Sequence, residues 1–345
     1  MHSTFSSPAA RKRWRTAGAV AAAAVLVGSL AACVQTPDDA PAPGAGGGKG
    51  DGTIYMVPGM TTHPAYQTLY CGAKEEAEKL GVGLEFQGAT TWDPALQIPV
   101  VQALLAKNPS ALLLTPTDGT ALAPVVDQYI SAGIPVLTID TGLEDSSKLA
   151  GVIASSNEQG GQAAAAALGE AIGGKGSVAI ISGAPGATTD VARAKGFTDE
   201  LAANFPDVKI LDIQYSKSNA ATAASQVQAL MLANPDLSGV FGVNGNSATG
   251  AANAIAQAGK KGEIRVAGYD AEPATVKLLK DGSIEILVVQ DFVQEGKLGV
   301  QYAFAAMNGE TADIPEETVL DNIIATTANS DDPEISKYFY IESCQ

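Results

Sequence analysis

Residues 239–270 read GVFGVNGNSATGAANAIAQAGKKGEIRVAGYD, and this stretch decides the fold. An almost unbroken apolar run, GVFGVN, ends on the polar Asn244. A small-residue helical pattern follows over roughly 247–259, and Gly259 with the lysines after it breaks that pattern. A second apolar run, IRVAGYD, then ends on Asp270. Strands buried on both faces read as continuous apolar runs rather than alternating ones. A strand, a helix and a strand in that order make a right-handed parallel crossover unit.

The same unit repeats along the chain. Strand-like runs are TIYMV (53–57), VGLEFQ (82–87), ALLLT (111–115), PVLTID (135–140), SVAIIS (177–182), VKILDIQY (208–215) and IEILVVQ (284–290). Helical patterns lie between them at about 64–80, 95–107, 120–132, 158–172, 188–204, 219–233, 272–281 and 292–308. The first places Tyr66, Leu69, Tyr70, Ala73, Ala77 and Leu80 on one stripe, and Gly81 stops it. So many units overfill one sheet. Residues 141–157 hold a turn and one short strand where a long helix would otherwise stand, and this is the seam. The expected fold class is α/β: two doubly wound parallel-sheet lobes joined by a multi-strand hinge, with a ligand cleft between them. The first lobe is expected at 53–155 plus about 291–315, the second at 156–290 plus about 316–330, and a tail at 331–345. Ligands of such sheets sit at the carboxyl ends of the strands.

Composition narrows the function. The 345 residues carry 21 Lys+Arg against 37 Asp+Glu, a net charge of −16. Four of the bases, Arg11, Lys12, Arg13 and Arg15, stand in an N-terminal stretch with no acid. No nucleic-acid partner is expected of so acidic a chain. Its two histidines, His2 and His63, starve a zinc site or a Ser-His-Asp triad. No metal, cofactor or catalytic residue is expected. GGKGS (173–177) lacks the Ser or Thr of a phosphate loop and precedes a strand, not a helix. An enzyme reading survives only as an Asp140/Asp270 carboxylate pair for glycoside hydrolysis.

The N-terminus has the form of an export signal. RKRWR (11–15) is a positive region, and residues 17–32 are small and apolar but short for a membrane span. The expected signal peptide is 1–32. Residues 34–52, rich in Pro, Gly and Ala, have the composition of a flexible linker. Cys71 and Cys344 remain beyond them, and two exported thiols are expected to pair.

Polar residues close four apolar runs: Asp140, Asn244, Asp270 and Gln290. Amides and carboxylates at neighbouring strand ends suit a polyhydroxylated ligand, since they accept from and donate to hydroxyls in fixed geometry. His63 and Tyr66 follow the first strand, where an aromatic ring can stack on a sugar face or simply join the core. Trp92, in the loop after the second strand, is a weaker candidate of the same kind.

With these residues in view, the chain from Thr53 to about Gly309 resembles the ribose-type sugar-binding proteins of bacterial ABC importers, which have the periplasmic binding protein type I fold. The resemblance is carried by TIYMVPGMTTHPAY (53–66), KEEAEKLG (74–81), PTD (116–118), AGIPVLTIDT (132–141) and IASSNEQGG (153–161). ARAKGF (192–197), NPDLSGVFGVN (234–244), RVAGYDAEP (265–273) and LVVQDFVQEG (287–296) continue it. It implies ligand contacts from His63, Tyr66, Asp140, Asn244, Asp270 and Gln290, and adds Arg193, before Gly196 and Phe197. Where ribose binders have Arg, this chain has Thr141, a further ligand candidate. An aromatic of the second lobe gives way within SKSN (216–219), which implies a larger, less aromatic pocket. The LAAC run at 30–33 resembles the lipobox of bacterial lipoproteins, implying a lipid anchor at Cys33 on the outer face of the cytoplasmic membrane. The implied protein is a monomer that captures a sugar or polyol and hands it to an ABC permease. A sensor of the same fold acting through a signalling receptor is the alternative.

Overall fold

The computed structural model describes residues 52–344; the expected signal peptide, Cys33 and nearly all of the linker lie outside them. The first lobe is built on a six-stranded sheet of parallel neighbours. Its strands are β1 (Thr53–Val57), β2 (Gly83–Phe86), β3 (Ala111–Leu114), β4 (Val136–Ile139), β5 (Gly151–Ser155) and β12 (Glu317–Leu320), in the order β12-β5-β4-β3-β1-β2. The second holds β6 (Gly176–Ser182), β7 (Val208–Ile210), β8 (Gln214–Tyr215), β9 (Leu237–Gly242), β10 (Arg265–Tyr269), β11 (Ile286–Val289) and β13 (Ile323–Thr326). Its order is β13-β11-β10-β9-β6-β7, with β8 also paired to β6.

Both sheets are covered on two faces, which is why their strands lack alternation. Along β1, Ile54 and Met56 face α1 (Pro64–Leu80) and α9 (Phe292–Met307), in one cluster with Leu69, Ala73 and Val300. Tyr55 and Val57 face the other way, joining Val101 and Leu104 of α2 (Pro94–Leu105) and Val125 and Tyr129 of α3 (Ala123–Ser131). Successive side chains of a strand point to opposite faces, so one apolar run feeds two cores. The second lobe repeats the plan. α4 (Asn157–Ala171) and α5 (Thr188–Asn204) cover one face through Leu168, Phe197 and Leu201. α6 (Ala220–Ala233), α7 (Gly245–Gln257) and α8 (Pro273–Lys280) cover the other. α1 and α9 approach closely because Gly296 lies against the Leu69 carbonyl, where a Cβ would fall 2.1 Å from the oxygen.

The chain crosses between lobes after β5, after β11 and between β12 and β13. The third crossing therefore falls at Asp321–Asn322 and not near 315, because β12 pairs in parallel with β5. Alternate residues of β12 are exposed, so this edge strand has no continuous apolar run to announce it. β13 was likewise unannounced; it runs antiparallel to β11 and makes the second sheet mixed. The expected strand 208–215 is broken by Leu211–Ile213 into β7 and β8.

The tail packs back onto the body. α10 (Pro333–Ser336) touches β13, and Cys344 is bonded to Cys71 on α1, with Cα atoms 5.4 Å apart.

Candidate functional site

The carboxyl ends of both sheets face one cleft, and the lobes stand closed on it. Gly142 N donates to Thr188 Oγ1 (3.1 Å) and Gly119 N to Gly186 O (3.1 Å), each pair joining one lobe to the other. His63 Nε2 lies 3.0 Å from Glu272 Oε1 across the same gap. The cavity left inside is about 40 Å³.

Its floor is electrostatic. Arg193 on α5 is 3% exposed, its guanidinium lying 3.7 Å over the Tyr269 ring. Nε donates to Asn157 Oδ1 (2.8 Å), Nη1 donates to Val243 O (3.1 Å), and Nη1 stands 3.8 Å from Asp270 Oδ2. Burial works against the guanidinium charge, but Tyr269, Asp270, Asp140 and Asp190 outweigh it and hold its pKa above the ordinary value. A buried charge needs such partners.

Asp140 follows β4 and Asp270 follows β10; both are buried. Tyr66 OH donates to Asp140 Oδ2 (2.8 Å). Burial pushes the Asp140 carboxyl up to about 6, with Asp270 and Asp190 adding to the rise and Arg193 and Tyr66 opposing it. Asp270 Oδ1 accepts from Gln290 Nε2 (2.8 Å) and from Tyr340 OH (3.1 Å), and Oδ2 from Gly245 N (3.3 Å). Asn244 caps α7 by accepting from Ser247 N (3.0 Å), while its amide donates to Asp190 Oδ2 (3.4 Å) and Ser218 Oγ (3.3 Å).

The roof is aromatic. Tyr66 and Trp92 stack with centroids 6.2 Å apart, and Phe292 meets Tyr66 edge-on at 6.2 Å. Trp92 can sit there because residue 59 is glycine: a Cβ at Gly59 would fall 2.2 Å from its ring. Trp92 Nε1 and Gln290 Oε1 are buried with no hydrogen-bond partner in the protein, one donor and one acceptor on residues that line the cavity. A hydroxyl offers the complement of both.

His63, Tyr66, Trp92, Asp140, Arg193, Asn244, Asp270 and Gln290 thus line one cavity. Thr141 does not line it; its hydroxyl turns toward Asp140 Oδ2 at 3.4 Å. Tyr66, Trp92 and Phe292 supply rings from the first lobe, and Ser218 of the SKSN segment lines the wall. Asp190, Asn246 and Phe292 also line the cavity without having been singled out. Asp190 stands one helical turn before Arg193, so spacing offered a signal for it, whereas Phe292 carried none. No sequence signal marked Glu272 or Tyr340, which arrive through contacts with residues far away in the chain. Among the described residues, no group of three or more His, Cys, Asp or Glu could hold a metal ion.

Comparison with known proteins adds the lineage. A family model described as a periplasmic binding protein domain matches residues 54–311. The ribose import binding protein of Bacillus subtilis is 30% identical over 283 residues, covering 81% of this chain and 90% of that protein. A solute-binding protein of an ABC transporter from Agrobacterium vitis, solved with α-D-tagatopyranose bound, is 36% identical with a TM-score of 0.81, covering 84% of this chain and 99% of that one. A second from the same organism, solved with D-fucose bound, is 31% identical with a TM-score of 0.80, covering 84% of this chain and 100% of that one.

Proposed function

The chain belongs to the periplasmic binding protein family, and on that premise we propose that it is the solute-binding protein of an ABC importer for a monosaccharide or polyol. The observation that carries this reading is the cavity itself. It sets Asp140, Asp190, Asn244, Asp270, Gln290 and Arg193 beneath Tyr66 and Trp92. Carboxylates and amides bind the hydroxyl edge of a sugar, the guanidinium fork binds paired hydroxyls, and the rings cover its apolar face. His63 closes the mouth by meeting Glu272 of the other lobe.

Two lobes hinged at three crossings open to admit the ligand and close to surround it, and the closed form docks to the permease. The relatives' ligands are ribose, tagatose and fucose, so pentoses, hexoses and deoxyhexoses head the substrate class. The protein has no catalytic role in this reading. Export by the signal peptide, lipidation of Cys33 and action as a monomer on the outer face of the membrane complete it.

The test is a thermal-shift screen of the mature protein against pentoses, hexoses, 6-deoxyhexoses and polyols. A ligand present at about 100 times its Kd should add roughly 2.7 kcal/mol of stability. Small-angle scattering with that ligand should then show a smaller radius of gyration. No shift with any member of these classes would refute the assignment.

A further inference from the structure

The last residues of the chain reach the cleft. Tyr340 is 3% exposed, and its hydroxyl points inward. It donates to Asp270 Oδ1 (3.1 Å) and accepts from Gln290 N (3.2 Å), so both of its hydrogen-bonding roles are used on two strand ends that flank the cavity. Its ring packs edge-on against Phe292 at 5.0 Å, behind the aromatic wall. A buried tyrosine hydroxyl usually finds a hydrogen-bond partner, and the identity of that partner decides what the residue does. Here the hydroxyl is spent on a carboxylate whose other partners are Gln290, Gly245 and Arg193.

A segment that follows the last strand holds such a position only if it is tied down. Two successive residues do this to opposite lobes. Tyr340 N donates to Ala271 O (2.9 Å) on the second lobe, and Ile341 N to Thr68 Oγ1 (2.8 Å) on the first. Three residues beyond Ile341 the chain is bonded through Cys344 to Cys71, one turn along α1 from Thr68.

We propose that Tyr340 is a positioning residue of the binding site, aiming the Asp270 carboxylate at the ligand, and that the Cys71–Cys344 bond keeps it there. The inference rests on the reading of the cleft as a sugar site. Burial first, and then the Asp270 charge, hold the Tyr340 phenol well above its ordinary pKa, so it remains a donor throughout the physiological range.

The test is calorimetric titration of the mature protein with D-ribose, D-tagatose, D-fucose, D-arabinose, D-allose and xylitol. For the tightest of these, Tyr340→Phe should weaken binding by about tenfold or more, the scale of a hydrogen bond to a charged group. In an Asp270→Asn background the same change should cost less than about twofold, because coupled groups are not additive. A merely structural tyrosine would give the same penalty in both backgrounds. Cys71→Ser/Cys344→Ser should reproduce the Tyr340→Phe loss. Wild-type affinity in Tyr340→Phe, or equal penalties in the two backgrounds, overturns the role of Tyr340 and leaves the sugar site standing. Wild-type affinity in the serine pair overturns the role of the disulfide. If the unaltered protein binds none of the six, the sugar reading and this inference fail together.

Discussion

Asp140 and Asp270 occupy the same place in their two lobes. Each follows a parallel strand, each has a left-handed backbone (φ 67° and 70°), and each donates its N–H to the next strand, to Ile153 O and Val288 O. A non-glycine residue in that region is uncommon and costs about 1–3 kcal/mol unless its surroundings over-determine it. Duplicated strain at facing strand ends turns both carboxylates toward one cavity. Asp and Asn tolerate this backbone better than other L-residues, which dictates how the pair should be probed.

Asp140→Asn and Asp270→Asn keep the backbone and remove the charge. Each should weaken sugar binding by roughly 1–2 kcal/mol, the gap between a charged and a neutral hydrogen bond, read by calorimetry. Unchanged affinity in both would remove the strand-end carboxylates from the site.

Asp140 also sets a pH dependence. Burial raises its pKa from 3.8 to about 6, so the folded protein holds a proton that the unfolded chain has already released. Stability from this group is greatest below 3.8 and is lost as pH rises toward about 6, since the folded state binds more protons there. Stability read by urea unfolding should fall more steeply with pH across that window for the wild type than for Asp140→Asn.

His63 acts in the same direction at higher pH. Burial opposes its charge, but Glu272, with Asp270 and Asp140, outweighs burial and raises the imidazole above 6.5. The bridge is then complete below 6.5 and is lost as pH rises through the raised value. Affinity should decline on moving from about pH 6 to about pH 8. In His63→Gln that decline should flatten; an unchanged pH profile would detach the bridge from closure.

Trp92 gives an optical check. It is the sole tryptophan among the described residues, so emission of the mature protein should change when a sugar meets its ring. Gly59→Ala would set a Cβ 2.2 Å from that ring. The variant should fold, shift the emission of the ligand-free protein and weaken binding several-fold.

How much of this was legible beforehand follows from the range of the forces. Buried parallel strands must be apolar throughout, so β1, β3, β4, β6, β9, β10 and β11 announced themselves, and the polar residue closing a run marked Asp140, Asn244, Asp270 and Gln290. Cys71 and Cys344, expected to pair as two thiols of an exported chain, stand bonded in the structure. The half-exposed β12 and the antiparallel edge strand β13 carry no such pattern, and so the third crossing could not be placed from residue order. Glu272 and Tyr340 belong to the site only because the two lobes and the tail converge there. Their partners lie on other elements of the fold, and a side chain's direction across a cleft is set by long-range packing. Residue types at strand ends determined what kind of ligand the cleft suits; tertiary closure alone decided which groups hold those strand ends in place.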